Sequence, residues 1–297
     1  MNTDIKNKKA IVYLGCSWVA GWMGDWIKDI YANVDFDKKY GIWEEGAIRD
    51  DYGKYGTVRW GHPGMLHRKY KDTVDVYNLG TSGSDNMAMY YKLILELPLL
   101  LAEYKPENVL ILHSLTSPTR FSFLRYHPVR KGLHIDILKV ALNPGQLKTF
   151  NRYEKMLWES YSKINFTYND APHLSTLAML NIQSVCKANG FKYMMANSFY
   201  EDYRLLFETE PHFGNLIDWS KSIHNDAPYD SFAELLLQED KTIPDDIDIT
   251  DIFKKQYVGK ELEYMSVCFH PNIHGHWLIS EHWEKHILKN HPEFLNG

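Results

Sequence analysis

The chain has 297 residues, of which 44% are hydrophobic and 24% charged, an ordinary balance for a globular protein with an ample core. Its net charge of -5 argues against a nucleic-acid-binding surface, which needs clustered Lys and Arg. No apolar run approaches the ~20 residues of a membrane span, and the polar N-terminus predicts no signal peptide. Three widely spaced cysteines favour a reducing compartment, so a cytoplasmic protein is expected.

Apolar strand-like runs alternate with helical patterns along the chain, which predicts an α/β protein with a mainly parallel sheet. The predicted strands are Ile11–Leu14, Val74–Asn78, Val109–His113 and Phe191–Ala196. The predicted helices are 18–30, 63–70, 87–104, 153–163, 174–189 and a last one through Leu288. The helix over 87–104 is expected to be interrupted or bent near Pro98. The stretches 31–60 and 199–265 lack these patterns, and we interpret them as surface insertions in a single domain over 1–297.

The first strand and helix would present Ser17 at the mouth of the sheet. Gly15 ends the strand, and a helical pattern begins near Trp18. Ser17 would then lie at a helix N-terminus with its amide facing an anion, which is the platform that a nucleophilic serine needs. The alternative is that Ser17 only caps the helix, as serine often does.

Polar loops follow the second and third predicted strands, where open α/β sheets bind ligands. The Gly80 amide and the Thr116 hydroxyl are therefore candidate donors to a substrate oxyanion. Arg120, in the same loop as Thr116, could orient that loop or bind a substrate carboxylate. The alternatives are ordinary turns, one at Gly80 and one set by Ser117–Pro118.

The stretch Phe269–Trp277 leads into the last predicted helix. Pro271 suits the first turn of a helix, which holds His270 just outside it, and Asn272 can help to cap that turn. A histidine so placed can take a proton from a serine hydroxyl. Ser17 and His270 are therefore the candidate catalytic pair.

A metal site is the competing interpretation of the same region. Its possible ligands are His270, His274, His276, His282 and His286. The last two share one helical face, but no Asp-rich or Cys-rich partner stretch accompanies them at a telling spacing. We therefore predict neither a metal nor a cofactor.

Together these stretches resemble the SGNH hydrolase (GDSL-like lipase/esterase) superfamily. Gly15–Ser17 matches its Gly-Asp-Ser block in a form associated with phage-encoded members, and Asn78–Gly80 matches its Asn-x-Gly turn. His270–Asn272 and Gly275–His276 match its last block. The resemblance covers residues 11–288 and implies a three-layer α/β/α flavodoxin-like fold with a mainly parallel sheet.

Two positions depart from the superfamily pattern. The third block usually carries an asparagine as an oxyanion donor, where this chain has Thr116. The triad acid usually lies three residues before the histidine, where this chain has Val267. The acid is absent, replaced by a backbone carbonyl, or supplied by the 199–265 insertion. We expect a backbone carbonyl to orient His270.

The resemblance implies a serine esterase, with an O-acetyl or other short acyl ester on a carbohydrate as the expected substrate. An acyltransferase using the same Ser-His pair is one alternative. A non-catalytic binding or virion structural protein is another, and the missing acid favours it. The expected partner is a small-molecule or carbohydrate ester, without nucleic acid or membrane. Homo-oligomer formation and virion association stay open, the latter implying a viral protein in the host cytoplasm or virion.

Overall fold

A computed structural model describes residues 7–20, 61–81, 83–118, 121–126, 135–140, 171–199, 214–243, 262–265 and 270–296, with five helical positions between 152 and 160. The strands are β1 Lys9–Leu14, β2 Val74–Asn78, β3 Val109–Leu115, β4 Phe121–Tyr126, β5 Ile135–Val140 and β6 Lys192–Asn197. The helices are α1 Ser17–Ala20, α2 His62–Tyr70, α3 Asn86–Glu103, α4 Ala171–Asn189, α5 Phe232–Glu239 and α6 Ile273–Asn290.

Four strands form one parallel sheet in the order β2-β1-β3-β6. Tyr13 in β1 pairs with Asn78 at the end of β2, and Leu14 pairs with His113 in β3. The carboxyl ends of these strands therefore meet at one edge of the sheet. The predicted α/β architecture with a mainly parallel sheet is confirmed.

The helices form two packed pairs, α2 with α6 and α3 with α4. Crossover connections between parallel strands are right-handed. The connection through α2 moves from β1 to one side of the sheet, whereas those through α3 and α4 move to the other side. The two helix pairs therefore cover opposite faces of the sheet, which gives three layers.

The central strands are apolar because both of their faces are covered. Ala10–Leu14 of β1 and Val109–Leu112 of β3 are fully buried, as expected for a parallel sheet between helix layers. Gly190 ends α4 with a φ of 74°, a conformation that favours glycine. Pro98 lies inside α3, which is continuous from Asn86 to Glu103, so the helix is not interrupted there.

A separate two-stranded antiparallel sheet, β4 with β5, was not predicted. Each strand mixes apolar and polar residues over only six positions, a signal too short to distinguish from irregular structure. The predicted insertion at 31–60 lies outside the described residues. The described part of 199–265 contains α5, which begins where Ser231 Oγ accepts a hydrogen bond from the Glu234 amide (3.1 Å).

Among the helices that the structure describes, none is long and apolar enough to cross a membrane.

Candidate active site

Ser17 and His270 form a hydrogen bond although 253 positions separate them in the chain. Nε2 of His270 lies 2.8 Å from Oγ of Ser17. Ser17 is the first residue of α1 and only 3% exposed, whereas His270 stands two residues before the cap of α6. The structure thus brings together the two residues that the sequence identifies as a nucleophile and a base.

This pair lies at the carboxyl edge of the parallel sheet. Ser17 comes just after the end of β1. In the sheet, β1 lies between β2 and β3, so the chain crosses from β1 to β2 on one side while β3 lies on the other side. Such a reversal of strand order is the position at which open α/β sheets bind ligands. The Ser17–His270 pair therefore lies where open α/β sheets usually bind their ligands.

Asn78 fastens the loop after β2 to the helix that carries Ser17. Its Nδ2 donates to the carbonyl of Val19 (3.1 Å), and its Oδ1 accepts from the amide of Gly80 (2.9 Å). A Cβ on Gly80 would lie 2.5 Å from the Ala20 nitrogen, so only glycine fits against α1.

The expected role of Gly80 as an oxyanion donor disagrees with this arrangement. Its amide already donates to Asn78, because the asparagine side chain folds back over the turn that it precedes. In the observed arrangement Gly80 supplies close packing against α1. Asn78, which the sequence identified only as part of a motif, supplies two hydrogen bonds.

Thr116 follows β3 at the same edge of the sheet and is fully buried. Its amide donates to Oδ1 of Asn86 (3.2 Å), and Nδ2 of Asn86 donates to Oγ of Ser175 (2.6 Å). The loop after β3 is therefore held by α3 and α4 together. Arg120 and Val267, the other expected site positions, lie outside the described residues.

Asn272 fixes the start of α6 immediately after His270. Its Oδ1 accepts from the Gly275 amide (3.0 Å), which caps the helix. Its Nδ2 donates to the carbonyls of Leu262 (3.3 Å) and Glu263 (2.9 Å). The expected capping role is confirmed, and the same side chain also ties the end of the 199–265 stretch to the helix.

Gly275 is required where that segment crosses α6. A Cβ at this position would lie 2.2 Å from the carbonyl oxygen of Tyr264, closer than real atoms approach. A bridge between Met265 and Pro271 continues the contact. The residues that follow His270 are thus held by the segment from Leu262 to Met265.

A pair of histidines, which the sequence did not indicate, is buried between α2 and α6. His62 and His276 are 1% and 0% exposed, and their rings stack with centroids 5.5 Å apart. Burial, with a smaller contribution from His270, lowers the pKa of His276 to about 3. Burial and then His276 hold the pKa of His62 well below its usual value. Both rings are therefore neutral at pH 7.

The structure places several histidines of the alternative metal site in other contacts. Within the described ranges, no group of three or more His, Cys, Asp or Glu side chains is placed to hold a metal ion. His282 instead contacts the Tyr229 hydroxyl (2.7 Å) and the ring of His286, whose centroid is 4.5 Å away. His270 is bonded to Ser17.

No protein-family model and no curated protein matches the sequence. Among solved structures, a lipolytic protein of the G-D-S-L family from Veillonella parvula is 10% identical at a TM-score of 0.39, covering 95% of this chain and 98% of its own. The α/β hydrolase LAE5 from the metagenome of Lake Arreo is 11% identical at 0.41, covering 93% and 94%. The acetylxylan esterase Axe2 from Geobacillus stearothermophilus is 11% identical at 0.40, covering 94% of each chain.

At these identities and TM-scores the likenesses are weak, and we draw no function from them. The functional proposal therefore rests on the geometry of the Ser17–His270 site.

Proposed function

We propose that this chain is a serine hydrolase of the SGNH type that cleaves a carboxylic ester. The observation that carries the proposal is the 2.8 Å distance between Ser17 Oγ and His270 Nε2 at the carboxyl edge of the sheet. A serine hydroxyl bonded to an imidazole is the arrangement in which the serine becomes a nucleophile at neutral pH.

The reaction follows from this pair. Ser17 Oγ attacks the acyl carbon while its proton passes to Nε2 of His270. The bond to the alcohol then breaks, and His270 returns the proton to the leaving oxygen. Water repeats the two steps on the acyl-enzyme and releases the carboxylic acid.

We assign oxyanion stabilisation to the amide of Ser17 and the hydroxyl of Thr116. The first lies at the start of α1, and the second lies in a loop that Asn86 holds at the same sheet edge. Donors fixed in advance are effective because they need no reorganisation as charge develops on the oxygen. We also propose that Arg120 binds the substrate.

A short acyl group is the substrate feature that the site favours. Ser17 is 3% exposed and Thr116 is fully buried, which favours a small acyl group over a bulky one. An O-acetyl ester on a carbohydrate meets this requirement. Transfer of the same acyl group to an acceptor alcohol would use the same Ser17–His270 pair.

The proposal is tested by hydrolysis of an activated acetate ester such as p-nitrophenyl acetate. Ser17→Ala and His270→Ala should each lower the rate by at least about 100-fold, with an unchanged melting temperature. Ser184→Ala and His291→Ala, remote from the pair, serve as matched controls and should retain the rate. A folded wild-type protein no faster than Ser17→Ala would contradict the proposal and favour the non-catalytic binding protein.

A further inference from the structure

A cavity of about 550 Å³ opens beside the start of β6. Lys192, the first residue of β6, lines it, whereas Ser17 follows the last residue of β1. Because β1 and β6 belong to one parallel sheet, the cavity and the Ser17–His270 pair lie at opposite ends of the strands. A six-residue strand spans roughly 20 Å, so this cavity is separate from the candidate active site.

The floor of the cavity is apolar and its wall is fixed. Phe191 and Cys186 are buried beneath it, and Leu216, 63% exposed, forms part of the opening. Oε1 of Gln183 accepts from the amide of Asp218 (3.0 Å), and its Nε2 donates to the carbonyl of the same residue (3.3 Å). These two bonds clamp the outer loop onto α4, so this wall of the cavity is preformed, as is usual for binding sites.

The rim of the cavity carries an excess of positive charge. Lys187, Lys192 and Lys221 line it, and Asp218 is the one carboxylate among its described lining residues. Lys221 Nζ lies 4.0 Å from the Asp218 carboxylate, and both side chains are about half exposed. Such a pair interacts weakly in water, and the described lining carries two more positive than negative side-chain charges.

His291 lies on the cavity wall together with Lys192 and Lys221. It lines the same cavity at the end of α6. Burial lowers the pKa of His291, and the positive charges of Lys192 and Lys221 lower it further, against the opposing effect of Glu293. These directions agree with the lining, in which His291, Lys192 and Lys221 all face the cavity.

We propose that this cavity binds a small amphipathic anion, with its charged head at the three lysines and its apolar body on the floor at Phe191. The volume falls within the range of about 300–1,000 Å³ of ligand pockets. The three lysines select a carboxylate or phosphate over an uncharged analogue, because a charge-assisted hydrogen bond is stronger than a neutral one.

Calorimetric titration with sodium octanoate, and with octyl phosphate in a second arm, tests the proposal. Octan-1-ol is the uncharged control. The titrations use the Ser17→Ala protein, so that no turnover occurs. Binding of one anion per chain is expected, stronger than binding of octanol, and weaker at high salt. The head group that binds tighter identifies the preferred anion.

The triple variant Lys187→Gln, Lys192→Gln, Lys221→Gln should lose at least about tenfold in affinity. A matched variant of equal net charge, Lys71→Gln, Lys241→Gln, Lys285→Gln, should keep it. If the cavity variant does not fold, Lys221→Gln alone, at an exposed position, should still weaken binding about threefold. Equal affinity in the cavity and matched variants, or no saturable binding of either anion, would overturn the proposal.

Discussion

Nδ1 of His62 lies 3.3 Å from Nδ1 of His276, so one imidazole donates a hydrogen bond to the other inside the protein. The contact joins the first residue of α2 to the first turn of α6, the helix that begins just after His270. The ring of Tyr13 in β1 packs edge-on against His62. The pair therefore links the strand that precedes Ser17 to the helix that follows His270.

Removing both halves of this pair should cost less than the sum of the two single removals. His62→Phe removes the hydrogen-bond partner of His276 Nδ1, and His276→Phe removes the hydrogen-bond partner of His62 Nδ1. Each single variant should lose about 1–3 kcal/mol of unfolding free energy, because a buried polar atom loses its partner. The double variant should lose less than the sum of the two. Urea denaturation of all four proteins measures the difference, and strictly additive losses would contradict the coupling.

Acid should destabilise the protein between about pH 6.5 and pH 3. Burial lowers the pKa of His113, His276 and His282 to about 3 in the folded state, against about 6.5 when unfolded. The unfolded chain therefore binds more protons in this window. The stabilisation is complete above pH 6.5 and is lost as the pH falls, by at most about 1.4 kcal/mol per pH unit for each histidine.

Urea denaturation midpoints measured between pH 7.5 and pH 4.5 test whether stability falls with acid. His113→Gln removes one titrating ring while keeping a polar group near the Tyr193 hydroxyl, which lies 2.9 Å from His113 Nδ1. Its stability should fall less steeply with acid than that of the wild type. Parallel curves for the two proteins would rule out His113 as a source of the effect.

Thr116→Val should lower kcat on an activated ester by about 100-fold while leaving KM nearly unchanged. The reason is that an oxyanion donor acts mainly in the transition state. Thr116→Ser keeps the hydroxyl and serves as the control, with a rate near that of the wild type. Steady-state kinetics measure kcat and KM for variants whose melting temperatures equal that of the wild type. An unchanged kcat for Thr116→Val would remove this residue from the site.

Val267→Asp should raise the esterase rate by at least about tenfold, because a carboxylate partner of the histidine is worth up to about 10⁴ in serine enzymes. Val267 lies outside the described residues, so the prediction rests on its spacing from His270. Val267→Asn, without the charge, is the control and should gain little. No gain in a folded Val267→Asp protein would mean that an acid is already supplied from elsewhere in the chain.

The sequence could predict the Ser17–His270 pair because each residue is marked by its neighbours. Gly15 ends an apolar strand two positions before the serine, and Pro271 holds the histidine outside the following helix. The parallel sheet was predictable for the same reason, since buried strands are continuous apolar runs.

The His62–His276 contact could not be predicted in this way. Its two residues are 214 positions apart, and nothing in the local pattern around either one indicates the other. The hydrogen-bond partner of the Gly80 amide could not be predicted either, because it depends on how the Asn78 side chain folds over the turn. Motif spacing identifies positions along the chain, whereas hydrogen-bond direction is set by packing in three dimensions.

The central claim is that Ser17 is a nucleophile activated by His270, and covalent labelling tests it most directly. The folded protein is incubated with a fluorophosphonate probe, and the modified peptide is identified by mass spectrometry. We predict one label per chain on Ser17, none on Ser17→Ala, and labelling slowed by at least about 100-fold in His270→Ala. A folded wild-type protein that takes up no label, or takes it up equally fast without His270, would contradict the account.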